Sequence, residues 1–428
     1  MNDRETQNWK LIIFCLIAAA FLVYYFSNPK PQNYYDYTFR VAENVMRGAI
    51  AFREKPPSWL NEFVPFAGGW YSVFPLGSVL TMIPFAALKV AGLIDEMPAA
   101  MIAALTAAAI GWFLFLIAEK YELDRKKRIL LVFGILFGTW MWTNLAMAGA
   151  WQLALGFAML GELGAIYFTV YNRRPVLAGL FFALAFGNRT EILLTAPVFI
   201  YLLFKSRVES RESKVENESI SLGSEAVKDT NNEKKLWTLD SGLGTLAKFC
   251  AVPFVLGVLT LIYNFVRFDS FTDFGYARIP GVLNEPWYRY GIFSIWYIPL
   301  NFREMLVTPW RRLAMYPYFV PGGFGGAIWW SSPFLLFLFR TGAHDKILKY
   351  TAWTAIVGLT FLLWIHGNPG GWQFAYRYAM TLLPWMFVIL LETSPRKVRW
   401  YEWLAYSFSI IINLYATYLF FWTDYVKP

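Results

Sequence analysis

The sequence predicts an all-α polytopic membrane protein with about 11 transmembrane helices and two large extracytoplasmic loops that carry juxtamembrane helices. Of its 428 residues, 57% are hydrophobic and only 16% are charged, whereas soluble domains carry about 25% charged residues. The apolar residues form runs such as 11–26, 98–118 and 129–148, each near the roughly 20 residues that a helix needs to cross a bilayer. This composition excludes a soluble globular protein.

The N-terminal helix is predicted to be an uncleaved signal anchor. A polar stretch, 2–10, precedes its apolar run, and the following Ser27-Asn28-Pro29-Lys30 lacks the small-residue site at which signal peptides are cut. The formal net charge is +9. In a membrane protein such an excess marks topology, because short loops rich in Lys and Arg stay in the cytoplasm. We therefore predict the lipid bilayer as a partner, and no nucleic acid.

Basic interruptions orient the remaining helices. Five of them are placed in the cytoplasm: 119–128, 171–175, 205–244, 340–349 and 393–400. With the N-terminus also inside, the predicted spans are 9–26, 98–118, 129–149, 152–170, 176–187, 190–204, 245–265, 322–339, 350–366, 376–392 and 401–421. The C-terminus then lies outside. The expected location is the cell membrane, crossed many times.

One apolar stretch, 71–93, is left out of this count because Pro75, Gly77 and Pro84 punctuate it. If it spanned, the basic segment 119–128 would move outside, against the charge rule. We expect it to lie along the outer face, and spanning remains the alternative. The span 176–187 is only about 18 Å long as a helix, so it must dip into the bilayer or line a cavity.

The loops differ in composition. The first outer loop, 27–97, and the second, which begins near 267, are rich in Tyr, Trp, Pro, Gly, Arg and Asp. The cytoplasmic loop 205–244 has many charges and few apolar residues, which is typical of a disordered linker. Chemistry is therefore expected on the outer side.

Asp36 is the leading candidate for a catalytic group. On a helix, Asp36, Arg40, Glu43 and Arg47 share one face. They could simply form two ion pairs on an interfacial helix, since acid before base at i,i+4 is the favourable order. Asp36 lies just where the first loop meets the membrane surface. A carboxylate there could take a proton from an acceptor hydroxyl or hold a divalent cation.

Several motifs follow in order along the chain. They are Gly68-Gly69-Trp70-Tyr71-Ser72-Val73-Phe74-Pro75-Leu76-Gly77, Gly187-Asn188-Arg189-Thr190-Glu191, Tyr263-Asn264-Phe265-Val266-Arg267-Phe268, Trp330-Ser331-Ser332-Pro333 and Gly370-Gly371-Trp372-Gln373-Phe374-Ala375-Tyr376-Arg377-Tyr378. With the acidic Tyr-rich helix of the first loop, this order resembles the GT-C superfamily of membrane glycosyltransferases. The chain looks like the members similar to protein O-mannosyltransferases and to the aminoarabinose transferase of lipid A, and the likeness covers nearly its whole length.

The resemblance implies a GT-C-like catalytic module over 1–265, and a second outer loop with C-terminal transmembrane helices over 266–428. It also implies a polyprenyl-phosphate sugar as donor and a catalytic acid in the first loop, where Asp36 matches. Tyr71 falls in the loop that binds donor phosphate. Where the aminoarabinose transferase has Lys-Pro-Pro, this chain has Phe74-Pro75-Leu76, so an arginine must replace that lysine.

Arg189 and Arg377 are the preferred phosphate ligands, because each adjoins an apolar span where an unpaired guanidinium is costly, and Arg267 is a third candidate. Each has an alternative. Arg189 could pair with Glu191 or with backbone carbonyls, Arg377 could reach the interface beside its tyrosines, and Arg267, like the pair Arg311-Arg312, could contact lipid headgroups.

Five further residues could support the site or orient the acceptor: Glu43, Arg40, Asp269, Asp273 and Tyr378. The two aspartates have a simpler interpretation as turn or capping residues. With two Cys and two His in the chain, a thiolate or histidine metal centre is not expected. If a cation is used, Asp36 would suit Mg²⁺ or Mn²⁺, and neutralisation by arginine alone is equally compatible with the sequence.

The predicted function is transfer of a sugar from a polyprenyl-phosphate donor to a lipid, glycan or protein acceptor on the outer side. A transporter or lipid-linked sugar flippase is the main alternative. Transport predicts ionisable residues near mid-membrane and broken helices in two halves, whereas the unexplained charges here are expected at one face. A non-catalytic subunit of the same shape, which assists assembly, is a third possibility.

Overall fold

The computed structural model describes residues 3–205 and 230–426, with side chains omitted over 230–241. The chain is mostly helical. The helices are α1 (Asp3–Ser27), α2 (Tyr37–Met46), α3 (Leu76–Leu80), α4 (Ile83–Val90), α5 (Ala99–Ala118), α6 (Arg125–Phe137), α7 (Met141–Met147), α8 (Ala150–Ile166), α9 (Pro175–Asn188), α10 (196–205), α11 (Thr230–Phe268), α12 (Ile298–Leu306), α13 (Ile328–Ser331), α14 (Lys346–Ile365), α15 (Leu383–Thr393) and α16 (Trp400–Phe421). The structure departs from the predicted all-α class in two short antiparallel hairpins. They are β1 (Phe63–Phe66) with β2 (Gly69–Ser72), and β3 (Arg311–Arg312) with β4 (Phe319–Val320).

Six of the described helical segments are long and apolar enough to cross a membrane. They are Gln7–Ser27, Ala99–Ala118, Ala150–Tyr171, Gly242–Phe268, Lys346–Ile365 and Trp400–Phe421. A seventh is present if α6 and α7, which meet at a bend of 48°, form one span. Each coincides with a predicted span, so the prediction of a helical membrane protein is confirmed, whereas the count of eleven is not.

The four other predicted spans are short or interrupted. α9 has 14 residues, and 190–204 opens with a 3₁₀ turn before α10. The stretch 322–339 contains only the four residues of α13 and a 3₁₀ segment that starts at Pro333. The stretch 376–392 is a 3₁₀ turn followed by α15. Proline lacks the amide N–H that would continue a helix and restricts the residue before it, which accounts for the break at Pro333.

The stretch 71–93 also contains no single long helix. It comprises the end of β2, then α3 and α4, which have five and eight residues. Pro75 precedes α3 and Pro84 begins α4, where proline is well tolerated. These short helices agree with an element punctuated by proline.

The predicted cytoplasmic segments meet at one end of the helices. The backbone N–H of Asp124 donates to the carbonyl of Arg396 at 3.0 Å, and the Tyr121 hydroxyl lies 2.6 Å from both Glu392 Oε1 and the Tyr171 hydroxyl. Lys205 forms an ion pair with Asp345. The backbone N–H of Asp345 also donates to Glu392 Oε2 at 2.6 Å, so five separate stretches of chain are joined. The predicted linker 205–244 lies outside the described residues over 206–229, and 230–244 belong to α11, which also runs through the predicted boundary at 265/266.

A buried ionic group secures the same end of the molecule. Glu402 of α16 pairs with Lys127 of α6, and both side chains are fully buried. Arg340 Nη1 approaches the same carboxylate at 2.7 Å. Removing one member of such a group would leave an uncompensated buried charge. The group therefore holds α16 against α6 in one arrangement.

Candidate functional site

The opposite ends of these helices collect the sequence motifs of the outer loops. The chain entering α2 is hydrogen-bonded to the start of α8, with Ala150 N donating to Tyr35 O at 3.0 Å. The span that begins with α8 has 22 residues, Ala150–Tyr171, or about 33 Å at the α-helical rise. Tyr171 lies in the cluster described above. The motif end and the basic end are therefore separated by about the thickness of a bilayer.

A close approach of two glycines joins the first two of the sequence motifs, 68–77 and 187–191. A Cβ added to Gly77 of α3 would meet the backbone of Gly187 in α9 at 2.4 Å. The Ser78 hydroxyl donates to the carbonyl of Asn188 at 3.3 Å. Only glycine permits this contact. It fixes the end of α9, and with it the position of Arg189.

Arg189 follows α9 in an extended conformation. Its Nε donates to Glu191 Oε1 at 2.7 Å, so the alternative in which it pairs with Glu191 is confirmed. The guanidinium carbon also lies 4.9 Å from the centre of the Tyr378 ring, a typical cation–π distance. Arg189 thus reaches the motif that contains Arg377.

Arg377 approaches the same ring, at 5.1 Å, and is only 6% exposed. Its Nη1 donates to the carbonyl of Trp372 at 3.2 Å and its Nη2 to the Tyr378 hydroxyl at 3.3 Å. Within the described residues its Nε has no hydrogen-bond partner, and no carboxylate lies within 4.0 Å. Arg377 is therefore a buried cation that forms no ion pair with the described residues.

Glu62 is the carboxylate that faces these arginines, and sequence analysis missed it. It directly precedes β1, whose tight turn to β2 has positive φ at Ala67 and Gly68, as two-residue hairpins require. Trp151 Nε1 donates to both carboxylate oxygens at 2.9 Å. Burial raises the pKa of Glu62 from 4.5 to about 7, although Trp151 and the charges of Arg377 and Arg189 act in the opposite direction. No local pattern links positions 62 and 151.

Aromatic rings surround this group. Trp151 packs against Tyr35 and Tyr37 with ring centres 5.0 Å apart in both cases. On the other side, the hydroxyls of Tyr276 and Tyr288 lie 2.6 Å apart. The His366 ring lies 6.2 Å from those of Tyr288 and Tyr378. We call Glu62, Trp151, Arg189, Arg377 and Tyr378 the outer polar cluster.

Asp36 stands at the N-terminal end of α2 and is 7% exposed. Its Oδ1 accepts from Arg40 Nε at 2.7 Å. Burial raises the pKa of Asp36, and Arg40 and Lys89 are the cations that act against that rise. Its near charges are therefore those of α2 and α4. The structure forms no ion pair between Asp36 and Arg189 or Arg377.

Arg267 and Tyr71 lie in a separate cluster. Arg267 is 1% exposed and donates to the carbonyls of Ser72 and Phe74 and to Asn264 Oδ1. Its guanidinium also stacks on Tyr263, with 3.9 Å to the ring centre. Tyr71 is half-buried and packs against Phe268 at 6.0 Å. Arg267 ties β2 to the end of α11 rather than facing an open site.

The remaining predicted residues have local partners. Glu43 pairs with Arg47 at 2.8 Å and with Lys89 at 3.0 Å, so both ion pairs predicted along α2 are confirmed. Asp273 accepts from Gly275 N at 2.7 Å and from Arg278 Nε at 2.6 Å, which confirms its interpretation as a turn residue. Asp269 adopts a positive φ of 52°.

No three His, Cys, Asp or Glu residues cluster with metal-ligand spacing in the described part of the chain. Asp36, the residue suggested for Mg²⁺ or Mn²⁺, has one oxygen engaged by Arg40. A divalent cation normally takes several oxygen ligands, so Asp36 would need further ligands to hold one.

Glu162 is a buried carboxyl that lies away from both ends. It is near the middle of the span Ala150–Tyr171 and is fully buried. Its Oε1 accepts from Trp385 Nε1 at 3.0 Å, and its Oε2 has no partner among the described residues. The expectation that unexplained charges gather at one face therefore needs correction. Glu162 lies within a long apolar run, and hydropathy predicts only that this run spans the membrane.

The described residues define a class: a helical protein in which six helices are long and apolar enough to cross a membrane, with a polar cluster at the helix ends opposite the basic loops. No family model matches the sequence, and neither the curated proteins nor the solved structures contain a match. The function must therefore be argued from the cluster itself.

Proposed function

We propose that the protein is a membrane glycosyltransferase of GT-C type. It would move a sugar from a polyprenyl-phosphate donor to a lipid, glycan or protein acceptor on the extracytoplasmic side of the cell membrane. The resemblance of its ordered motifs supports the proposal. So does the gathering of two of those motifs, around Arg189 and Arg377, on one tyrosine ring.

Arg377 is the observation that carries this proposal. A buried charge without a partner costs several kcal/mol even after relaxation, and such a cost is retained where function requires it. The guanidinium has a free Nε and two long hydrogen bonds. A phosphate oxygen would satisfy the Nε and supply the missing negative charge, with the bidentate geometry that arginine prefers.

Arg189 would serve as the second cation. The two guanidinium carbons lie within about 10 Å of each other, because both are near 5 Å from the Tyr378 ring centre. Arg189 keeps Glu191 as a partner in the free protein. It therefore contributes less net charge than Arg377, and binding of phosphate would let it share its donors between the carboxylate and the lipid.

The chemistry needs little more than these groups. A glycosyl phosphate already has a good leaving group, so the protein must neutralise the charge that develops on phosphate and orient the acceptor hydroxyl. Direct displacement would invert the anomeric centre. Two carboxylates, Asp36 and Glu62, are available near the arginine side of the molecule to orient the hydroxyl.

The orientation of the cluster follows from charge. The basic segments that meet around Tyr121 and Asp124 would face the cytoplasm, as short Lys/Arg-rich loops do. The outer polar cluster, at the other end of α8, would then face the outside, with the N-terminus in the cytoplasm. A donor attached to a long lipid tail could reach this end from the outer leaflet.

The test uses purified protein in proteoliposomes with undecaprenyl phosphate and a panel of its labelled hexose and pentose conjugates. Wild-type protein is expected to bind the lipid phosphate and to transfer label to cell-envelope extract. Arg377→Gln is expected to lose at least tenfold in lipid affinity, whereas Arg312→Gln, at an exposed position in β3, should match wild type. Equal binding by wild type and Arg377→Gln, with no transfer from any donor, would contradict the proposal.

A second candidate function is transport of a lipid or solute, and Glu162 favours it. A fully buried carboxyl near mid-membrane, with one oxygen unpartnered in the described chain, is the feature expected of a proton or substrate relay. The interrupted helices at 189–195 and 376–382 also suit a transport site. Loss of lipid-linked sugar translocation in Glu162→Gln proteoliposomes, with Arg377→Gln unimpaired, would support this function over transfer.

A further inference from the structure

We propose that Glu62, and not Asp36, accepts the proton of the acceptor hydroxyl during sugar transfer. This inference rests on the proposed function and deepens it by naming the general base. It is carried by the two hydrogen bonds that Trp151 donates to the Glu62 carboxylate, and it is supported by the action of the Arg377 and Arg189 charges on that carboxylate.

The carboxylate of Glu62 is held in place from one side. Trp151 Nε1 donates to both of its oxygens, and the indole is itself fixed by the rings of Tyr35 and Tyr37. Tyr37 is also anchored, because its hydroxyl donates to Asn61 Oδ1 at 3.0 Å. A single N–H shared by two oxygens leaves lone pairs on each oxygen for an incoming hydroxyl. The half-buried Glu62 therefore has both rigidity and access.

The surroundings of Glu62 place its titration near neutrality. The charges of Arg377 and Arg189 act on it from the other motifs, and Glu285 and the hydroxyls of Tyr37 and Tyr276 are further titratable groups that interact with it. Burial outweighs the arginines, and the pKa rises to about 7. A general base works best with a pKa near the operating pH. Glu62 meets that condition in a position already suited by geometry.

Asp36 has a different environment. Its Oδ1 is bound by Arg40 at 2.7 Å, the charge of Lys89 also acts on it, and it is almost fully buried. A carboxylate committed to a guanidinium is a weak base. The ion pair instead ties Asp36 to the first turn of α2, next to Tyr37, which packs on Trp151. It is a positioning residue for Glu62.

In the proposed transfer step, the acceptor O–H bond breaks and its proton goes to a Glu62 oxygen, while the acceptor oxygen forms a bond to the anomeric carbon. The bond between that carbon and the phosphate oxygen breaks, and its electron pair leaves with the phosphate. Arg377 and Arg189 neutralise the resulting negative charge. Glu62 later releases its proton to solvent.

The experiment compares Glu62→Gln, Asp36→Asn and Trp151→Phe in the proteoliposome transfer assay over pH 5–9. Glu62→Gln is expected to lose about 10²–10⁴-fold in transfer rate while it binds undecaprenyl phosphate as wild type does. The wild-type rate should rise with pH and level off above about 7, following ionisation of Glu62. Trp151→Phe removes a hydrogen-bond donor to the ionised Glu62 carboxylate. The rise of the transfer rate with pH should therefore occur at higher pH in this variant than in wild type.

The outcomes separate the two proposals. Full transfer by Glu62→Gln, with an unchanged pH profile and transfer lost in Asp36→Asn, would overturn the assignment of Glu62 and leave the glycosyltransferase intact. Absence of transfer by wild type with every donor, and binding unaffected by Arg377→Gln, would defeat the proposed function itself. If Glu62→Gln fails to fold, the pH dependence of the transfer rate in Trp151→Phe provides the test. A pH dependence identical to that of wild type would contradict a general base that is hydrogen-bonded to Trp151.

Discussion

Replacing Arg377 by methionine should leave the ligand-free protein about as stable as wild type, or somewhat more stable, and should abolish its response to the lipid phosphate. The change removes a charge that is 6% exposed and has no carboxylate within 4.0 Å in the described chain. Substituting buried ionic groups by apolar residues of similar volume is often neutral or stabilising by about 1–4 kcal/mol. Against this stand two hydrogen bonds of 3.2 and 3.3 Å, worth about 1 kcal/mol each. The free energy of unfolding should therefore change by between about −1 and +2 kcal/mol.

The effect of ligand is larger and opposite. A lipid phosphate at 100 times its Kd stabilises the wild type by about 2.7 kcal/mol, whereas a variant that cannot bind it gains nothing. The assay is unfolding in mixed detergent micelles, followed by the fluorescence of the 20 tryptophans. Undecaprenol, which has the same tail without phosphate, measures the contribution of the tail, and Arg312→Met is the matched surface control. A variant that is less stable by more than about 2 kcal/mol, yet keeps the response to phosphate, would refute the reasoning.

Three further outcomes follow from the same structure. Gly77→Ala would place a methyl group against the backbone of Gly187. Circular dichroism should therefore show a lower unfolding temperature, and the lipid assay should show weaker binding. An unchanged unfolding temperature and unchanged binding would mean that this contact is not rigid. Glu402→Gln should cost about 3–5 kcal/mol because it strands two cations, and a loss no greater than that of an exposed Glu→Gln change would contradict the ionic group. Because burial raises the pKa of Glu62 from 4.5 to about 7, its ionisation opposes folding, so wild-type stability should fall relative to Glu62→Gln as pH rises from about 4.5 to 7; parallel pH curves would exclude this shift.

The sequence reveals those features whose signals are local. The sequence indicates Arg189 and Arg377 as candidate site residues because each adjoins an apolar run, and in the structure both guanidinium groups contact the Tyr378 ring. The ion pairs of α2 follow from an i,i+4 spacing and are present. The six long helices follow from apolar runs of bilayer length.

Features that depend on contacts between residues far apart in the sequence cannot be predicted from local sequence patterns. Glu62 and Trp151 are 89 positions apart, so no motif could connect them. Arg267 sits where its apolar span ends, as expected, but the carbonyls of Ser72 and Phe74 that enclose it lie almost 200 residues away. Hydropathy also could not show that a run such as 322–339 is broken into short turns.

The most direct test of the central claim is photo-cross-linking with a polyprenyl phosphate that carries a diazirine beside the phosphate group. After irradiation in proteoliposomes, mass spectrometry locates the modified peptides. The account predicts label in 187–191 and 372–378, lost in Arg377→Gln and retained in Arg312→Gln. Label confined to the basic end, for instance at 341–344 or 392–395, or label unaffected by Arg377→Gln, would contradict a phosphate site at the outer polar cluster.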